Sequence, residues 1–553
     1  MITLGPFRLG QLAGRGGQGV VYAAEHETGM PVAIKVIRQP SSVAALHEIR
    51  ATAALRHPNV VQVYDFGEVP AGTPVFAPRS VWFAMEWASG GTLGDMAPKP
   101  WSEIHTGLRE LLSALSWLHA RGQLHRDLKP TNVLLPGRDD ARGGWKLADF
   151  GISWTRDARP NAASGTPQFM ASEQLSGGAL GPSTDLYSFG ATVWALLTGR
   201  RYDAEGALFL PRVAVPPGVE PWLRRLVATS AHDRYRYAID AIDAMPGRDD
   251  PAAPALTASV ADADHPMTVA VEVVAGAASP SRPPSPPARP RPPPPRAPSD
   301  PEVTPRVQLP GTGAGLLGLI DPPIVGHAHA RSELWSLLAT CFTAERLTRV
   351  AIAGPPGVGR HRIARWLAES AHAEGLCEYD LVAPVHGANT ALAHWMRQVL
   401  SDVAGRQLVD DLADGRRPDG RVEAWLALLD RLDTASNRRI IVLDDADNTD
   451  DVSAFLAWVE ARGPRPWLVL EVREAAQNGP AVTLSPVSDD ELIELGTSIG
   501  LSLVAAAELA TECDGLPGSF NDRCALVTAA GGWTQSKQGL EFSRSVALNI
   551  APA

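Results

Sequence analysis

Five short segments of this 553-residue chain carry residue types suited to handling phosphate. The first is Gly14-Arg15-Gly16-Gly17-Gln18-Gly19-Val20-Val21, and Val32-Ala33-Ile34-Lys35 follows. Leu124–Asn132 reads Leu-His-Arg-Asp-Leu-Lys-Pro-Thr-Asn, Asp149-Phe150-Gly151 comes next, and Ala171-Ser172-Glu173 closes the series. Glycines at Gly14, Gly16 and Gly19 permit a tight hairpin whose amides can lie against an anion with no Cβ in the way. Lys35 and Lys129 supply cations, while Asn132 and Asp149 offer the hard oxygen ligands that suit magnesium. Phosphoryl transfer depends on this kind of positioning and charge neutralisation more than on covalent chemistry. A lone G-x-G-x-x-G would be weak evidence. Five motifs in order over roughly 160 residues are not a chance match.

Together these motifs resemble the eukaryotic-type (Hanks-type) Ser/Thr protein kinase family over about residues 1–245. The resemblance implies an α+β bilobal kinase fold that uses ATP and Mg2+ and acts on protein substrates. The nucleotide is then expected against Gly14, Gly16, Gly19 and Val21, with Lys35 on its phosphates and Glu48 as the lysine's partner from the next helix. Val81–Ala88 resembles the strand that enters the hinge, with Met85 as gatekeeper and the Glu86 carbonyl and Ala88 amide facing adenine. By the same resemblance Asp127 is the base that accepts the substrate hydroxyl proton, and Lys129 steadies the transferring phosphate. Asn132 and Asp149 hold the metal. Glu173 pairs with Arg234 to lock the C lobe, and Asp185 is the buried aspartate that holds the catalytic loop.

Two departures touch substrate choice rather than catalysis. Ala-Pro-Glu has become Ala171-Ser172-Glu173, which drops a rigid proline but keeps the carboxylate. The stretch from Asp185 to Arg234 is also short, which points to a trimmed substrate-docking region. Ser153, Thr155 and Ser164 are the candidate phosphate acceptors of a short activation loop, and Arg126 is the arginine such a phosphate would meet. Thr166 is expected instead against Asp127 and Lys129. Constitutive activity is the rival to loop control.

Length and composition set the frame for these segments. At 553 residues two or three domains are expected. No run of about 18 apolar residues and no basic-then-apolar start is present, which predicts a soluble, cytoplasmic protein without a membrane span. Four cysteines, Cys341, Cys377, Cys513 and Cys524, match no zinc or disulfide spacing. Residues 1–245 hold 24 Lys+Arg against 22 Asp+Glu, a net of +2, so the whole-chain −11 leaves −13 for the rest. That acidic half argues against nucleic acid as a partner.

Residues 246–310 read as a disordered, proline-rich linker, because proline lacks the donor that helix and ladder need. Ser279–Arg296 favours an extended polyproline spacer, and its repeated P-x-x-P makes proline-motif readers the alternative partners. Beyond it, residues 311–553 alternate short apolar runs with helical stretches. Arg349–Ala353, Ile440–Leu443 and Trp467–Val472 are the runs, which predicts a parallel, doubly wound α/β sheet. A more helical tail opens at the capping box of Ser488-Asp489-Asp490-Glu491.

Gly354-Pro355-Pro356-Gly357-Val358-Gly359-Arg360-His361 lies between a strand and a helix, in the place of a phosphate-binding loop. Arg360 stands where that motif has lysine and His361 where it has Ser or Thr. Asp444 and Asp445 end the next run as a Walker B-like pair. With Pro323–Gly326 and Asp514–Gly518, these residues resemble a degenerate P-loop domain of the STAND/AAA-like signalling ATPases. Three uses stay open: nucleotide held with little turnover, a scaffold for protein binding, or a competent ATPase. The whole chain reads as an intracellular signalling Ser/Thr kinase of bacterial style, joined to a nucleotide-sensing or interaction module. A silent kinase-fold scaffold is one rival. A P-loop signalling ATPase modulated by its own kinase domain is the other.

Overall fold

The computed structural model describes residues 2–15, 19–37, 55–77, 80–95, 98–138, 140, 142–149, 167–200, 202, 209, 211–250, 292–296, 309, 312–313, 317, 322–382, 438–443, 465–475, 479–536 and 538–543. The N-terminal part begins with six strands: β1 (Thr3–Leu4), β2 (Phe7–Arg15), β3 (Gly19–His26), β4 (Pro31–Ile37), β5 (Val63–Glu68) and β6 (Val81–Glu86). They form one antiparallel sheet in the order β1-β2-β3-β4-β6-β5. The β-branched run before Lys35 becomes β4, whose Val32, Ile34 and Val36 are buried with Phe7, Tyr64 and Trp82. In this register Val21 of β3 stands opposite Lys35, and Met85 of β6 opposite Ala33.

The second lobe is helical. Helix α1 (Trp101–Ala120) buries Leu108, Leu111, Leu112, Leu115 and Leu118. Two short strands, β7 (Val133–Leu134) and β8 (Lys146–Leu147), pair beside it. They are followed by α2 (Ser172–Ser176), α3 (Pro182–Thr198), α4 (Val219–Leu226) and α5 (Ala238–Asp243). Helix α3 starts on proline, whose missing N–H costs nothing at that position, and stops at Gly199 in the left-handed region (φ 65°). Packing of this lobe runs past the expected boundary at 245. The Trp101 indole N–H donates to the Gly247 carbonyl at 3.0 Å, and Arg248 Nε donates to that of Ser102 at 3.1 Å.

In the C-terminal part, α6 (Ala328–Ala344) precedes β9 (Thr348–Ala353), α7 (Arg360–Ala373) and β10 (Glu378–Val382). Strands β11 (Arg439–Leu443), β12 (Trp467–Arg473) and β13 (Ala481–Thr483) complete an all-parallel sheet in the order β10-β11-β12-β9-β13. The three apolar runs are thus its inner strands, and β12 is buried along its whole length, as strands covered on both faces are. Residues 383–437 and 444–464 lie outside the described residues.

The tail consists of α8 (Asp489–Ser498), α9 (Leu503–Ala510) and α10 (Pro517–Ala529). Ser488 caps α8 as expected: its hydroxyl accepts from the Glu491 N–H, and the Glu491 carboxylate accepts from the Ser488 N–H at 2.8 Å. The expectation of a helical tail fails at its end. Strands β14 (Trp533–Ser536) and β15 (Gly539–Phe542) form an antiparallel hairpin, with Trp533 stacked on Phe542.

Part of the linker is not a free spacer. Leu309 is buried in the first lobe's core beside Leu4, Phe7 and Trp82, while Leu317 belongs to the core of the helical tail. The Pro294 carbonyl accepts from the Trp335 indole at 2.9 Å.

Candidate active site

Asp185, completely buried on α3, organises the loop that carries Asp127. Its Oδ1 accepts the Arg126 backbone N–H at 2.7 Å, and its Oδ2 accepts that of His125 at 2.8 Å. His119 Nε2, from the last turn of α1, lies 2.9 Å from the same Oδ2. Burial alone would raise the Asp185 carboxyl. The bond and charge of His119, the charge of His125 and the Arg126 N–H outweigh it and hold the group below its ordinary value. These bonds stabilise Arg126 in a left-handed conformation (φ 64°) that a non-glycine residue adopts at a cost. His125 is buried, which lowers its pKa, and its Nε2 lies 3.0 Å from the Ala148 carbonyl, joining this loop to the segment before Asp149.

Asp127 sits between a cation and an amide. Lys129 Nζ donates to its Oδ2 at 2.8 Å, and Asn132 Nδ2 donates to the same oxygen at 3.0 Å and to the Asp127 carbonyl at 2.8 Å. The Asn132 nitrogen is therefore spent on Asp127, which leaves its oxygen for a hard cation. Asp149, also left-handed (φ 52°), places Oδ1 2.7 Å from Lys35 Nζ. This ion pair spans 114 residues and joins the sheet to the second lobe. Lys35 is buried and Asp149 half-exposed. Glu48 was the expected partner of Lys35; it lies outside the described residues, as do Gly16, Ser153, Thr155, Ser164 and Thr166.

Gly14 and Gly19 have different reasons to be glycine. A Cβ at Gly19 would come within 2.2 Å of the Val36 carbonyl oxygen, so the neighbouring strand dictates that residue. At Gly14 a Cβ would meet open space. Ala88 follows β6 half-buried. The Glu86 side chain does something the sequence did not reveal. It is buried and takes Arg142 at 2.7 Å, with Lys146 3.5 Å away and the Gln62 N–H at 3.2 Å. Burial raises its pKa against the opposing pull of both cations. Arg142 also donates to the carbonyls of His57, Pro58 and Val60, so the cluster fastens the hinge strand to the turn before β5. Arg142 sits in a stretch of mixed charges, and no local pattern marks it.

Glu173 and Arg234 form the expected two-pronged pair at 2.7 and 3.0 Å. Burial pushes the Glu173 carboxyl up, but the Arg234 hydrogen bonds and charge hold it below its usual range. Gln174, next in the chain, donates to the Arg126 carbonyl at 2.7 Å and so ties the Ala-Ser-Glu segment to the catalytic loop. Among the described residues no helix lies between Thr198 and Val219, and residues 203–208 of that stretch lie outside them.

In the C-terminal part, Gly354, Gly357 and Gly359 all have positive φ (154°, 82° and 104°), so this loop needs its glycines. It leaves β9 between β12 and β13, where the strand order reverses and α/β sheets bind ligands. Both flanking motifs come to it. The Gly518 N–H donates to the Gly357 carbonyl at 2.7 Å, and His327, next to Gly326, lies 3.1 Å from the Val358 carbonyl. Arg360 is buried, and its Nη1 has no hydrogen-bond partner among the described residues. His361 is exposed, and Asp444 and Asp445 lie outside the described residues.

Comparison with known proteins bears on the first half. Residues 7–205 match the family model of the protein kinase domain. The chain is similar to Serine/threonine-protein kinase Pkn1 of Myxococcus xanthus, 34% identical over 263 residues, which cover 42% of this chain and 37% of that protein. It is 32% identical over 256 residues to Serine/threonine-protein kinase PknA of Mycobacterium tuberculosis, covering 41% and 56%. A probable serine/threonine-protein kinase PknB of Bifidobacterium longum is 30% identical over 268 residues. The chain thus spans between about a third and just over half of these relatives. Its N-terminal part carries a protein kinase domain like those of bacterial Ser/Thr kinases.

Proposed function

We propose that this protein transfers the γ-phosphoryl group of ATP to Ser and Thr hydroxyls of protein substrates. The observation that carries the reading is Asp127, held by Lys129 and Asn132 on a loop anchored at Asp185, with Asp149 on Lys35. Asp127 accepts the substrate hydroxyl proton as the oxygen attacks the γ-phosphorus. Lys129 neutralises charge on the phosphoryl group in flight, where fixed charge is worth most. Asn132 and Asp149 supply oxygens of the type magnesium prefers, and the metal when bound neutralises the phosphate oxygens. Lys35 positions the α and β phosphates, and loop phosphorylation at Ser153, Thr155 or Ser164 belongs to this reading as its control.

The C-terminal part is read as a nucleotide-sensing or interaction module. Support comes from the glycine loop at the sheet's switch point, where Gly518 donates to Gly357 and His327, next to Gly326, meets Val358. Asp127→Asn is expected to keep ATP affinity and lose transfer from γ-labelled ATP by a factor of about 10^3, whereas Lys35→Met loses transfer with weakened nucleotide binding. Wild-type transfer in both variants would end the enzyme reading. Calorimetric titration of ATP into the full chain counts sites: two nucleotides per chain extend the reading to the C-terminal loop, and one confines it to the kinase domain.

A further inference from the structure

The last helical turn leaves backbone carbonyls without intrahelical partners. Two helix ends here each gain a hydroxyl from across the boundary between the kinase domain and the C-terminal part. Ser116 Oγ of α1 donates to the carbonyl of Ala373, the last residue of α7, at 2.6 Å. Tyr379 Oη of β10 donates to the carbonyl of Ala120, the last residue of α1. Beside this exchange, Glu378 Oε1 accepts Tyr237 Oη at 2.6 Å and the Arg236 guanidinium. The His372 ring stands edge-on to Tyr237 (5.1 Å) and Tyr379 (5.5 Å). Arg121 lies 3.5 Å from the buried Glu369.

Charge falls on opposite sides of this contact. Arg236 and Arg121 belong to the kinase domain, which is net positive; Glu378 and Glu369 belong to the strongly acidic half. Apart from the rings of Tyr237, His372 and Tyr379, the groups are hydroxyls, carbonyls and ions, which water can serve if the two parts separate. Such polar faces suit docking that opens and closes, unlike the apolar interfaces of permanent pairs. The same turn of α1 that holds Ser116 and Ala120 holds His119, whose partner Asp185 carries the loop of Asp127. At its other end α7 begins on the glycine loop, at Arg360.

We propose that helix α7 and strand β10 dock the C-terminal part onto the kinase C lobe, and that this docking braces the last turn of α1 and so the catalytic loop. The chain's own acidic half is then the partner of its kinase domain. The effect on rate rests on the kinase reading above; the docking does not.

The test uses the full chain. In Glu378→Arg, a cation replaces the carboxylate beside Arg236, and hydrogen exchange should rise at least tenfold in residues 116–121 while β2–β4 stay protected. Arg236→Glu, made from the other side, should do the same, which guards against a misfolded β10. The double swap of Arg236→Glu with Glu378→Arg should restore protection. In both single variants kcat should fall severalfold at unchanged KM for ATP and recover in the swap. Unchanged exchange at 116–121 in both folded single variants would overturn the docking. Raised exchange with unchanged kcat would overturn the bracing. A wild-type chain without transfer would remove the kinase reading, yet the exchange data would still decide the docking.

Discussion

Asp185 receives two backbone N–H groups and a histidine with no water to replace any of them. Asp185→Asn keeps the size but turns a donor toward one of these donors. A buried group left unpaired costs about 3 kcal/mol when charge is involved. For a domain of this size that corresponds to a Tm lower by about 6–12 °C. The carboxyl is held below its ordinary value of 3.8, so its contribution is complete above that pH. It fades as pH falls through the folded-state value. Melting curves should therefore show a constant gap between variant and wild type at neutral pH and a narrowing one below pH 3.8; a pH-independent gap would show that the carboxylate's charge is not what matters. Asp185 was legible from its motif, as were Asp127, Lys129 and Asn132, because each lies in a contiguous signature. Glu86 was not: its cations Arg142 and Lys146 are 56 and 60 residues away, and their stretch reads as solvated charge. Burial takes the pKa of His57 down to about 3, so it accepts the Asn59 N–H as a neutral ring.

Elements follow the same division between local and distant causes. Inner strands β11 and β12 were legible because burial on both faces leaves continuous apolar runs, and α8 because its capping box is local. The hairpin of β14 and β15 carried no such mark, being two four-residue strands without an Asn-Gly type of turn. Nor could a sequence show that Ala120 and Ala373 end their helices against foreign hydroxyls. Packing between α3 and α4 is a further case. Glycine within a helix costs about 1 kcal/mol relative to alanine, so propensity favours Gly190→Ala. A Cβ there would stand 2.6 Å from Leu226 Cβ and 2.9 Å from Val227 Cγ1, neither of them the far end of a flexible chain. Overpacking costs about 1–3 kcal/mol, more than the propensity gain. Gly190→Ala should thus lower Tm by a few degrees. A stabilised variant would mean that α4 yields without cost.

The molecule as a whole is held together by more than the order of its domains. A linker read from composition as a spacer has one residue, Leu309, in the core of the first lobe, and Leu317, eight positions on and past the linker's expected end, lies in the core of the tail. Proline content argued against helix and sheet, but it could not say whether a single leucine would find a pocket. With Leu309 in the first lobe and α7 and β10 on the second, the chain beyond the kinase domain reaches both of its lobes, one through a hydrophobic anchor and one through polar caps. The anchor makes a separate prediction. Leu309 is packed with Leu4, Phe7, Val69 and Trp82, and trimming a buried leucine to alanine costs about 2–5 kcal/mol. Leu309→Ala should therefore loosen β2, β3 and β6 although it belongs to none of them. Local opening governs amide exchange, so about 2 kcal/mol corresponds to exchange about 30-fold faster in those strands. Strands β11 and β12, whose core does not include Leu309, should exchange as in the wild type. Unchanged exchange in β2 would return the linker to a plain spacer, whereas the expected pattern makes residue 309 part of the kinase domain, more than 50 residues beyond α5, the last helix of that domain among the described residues.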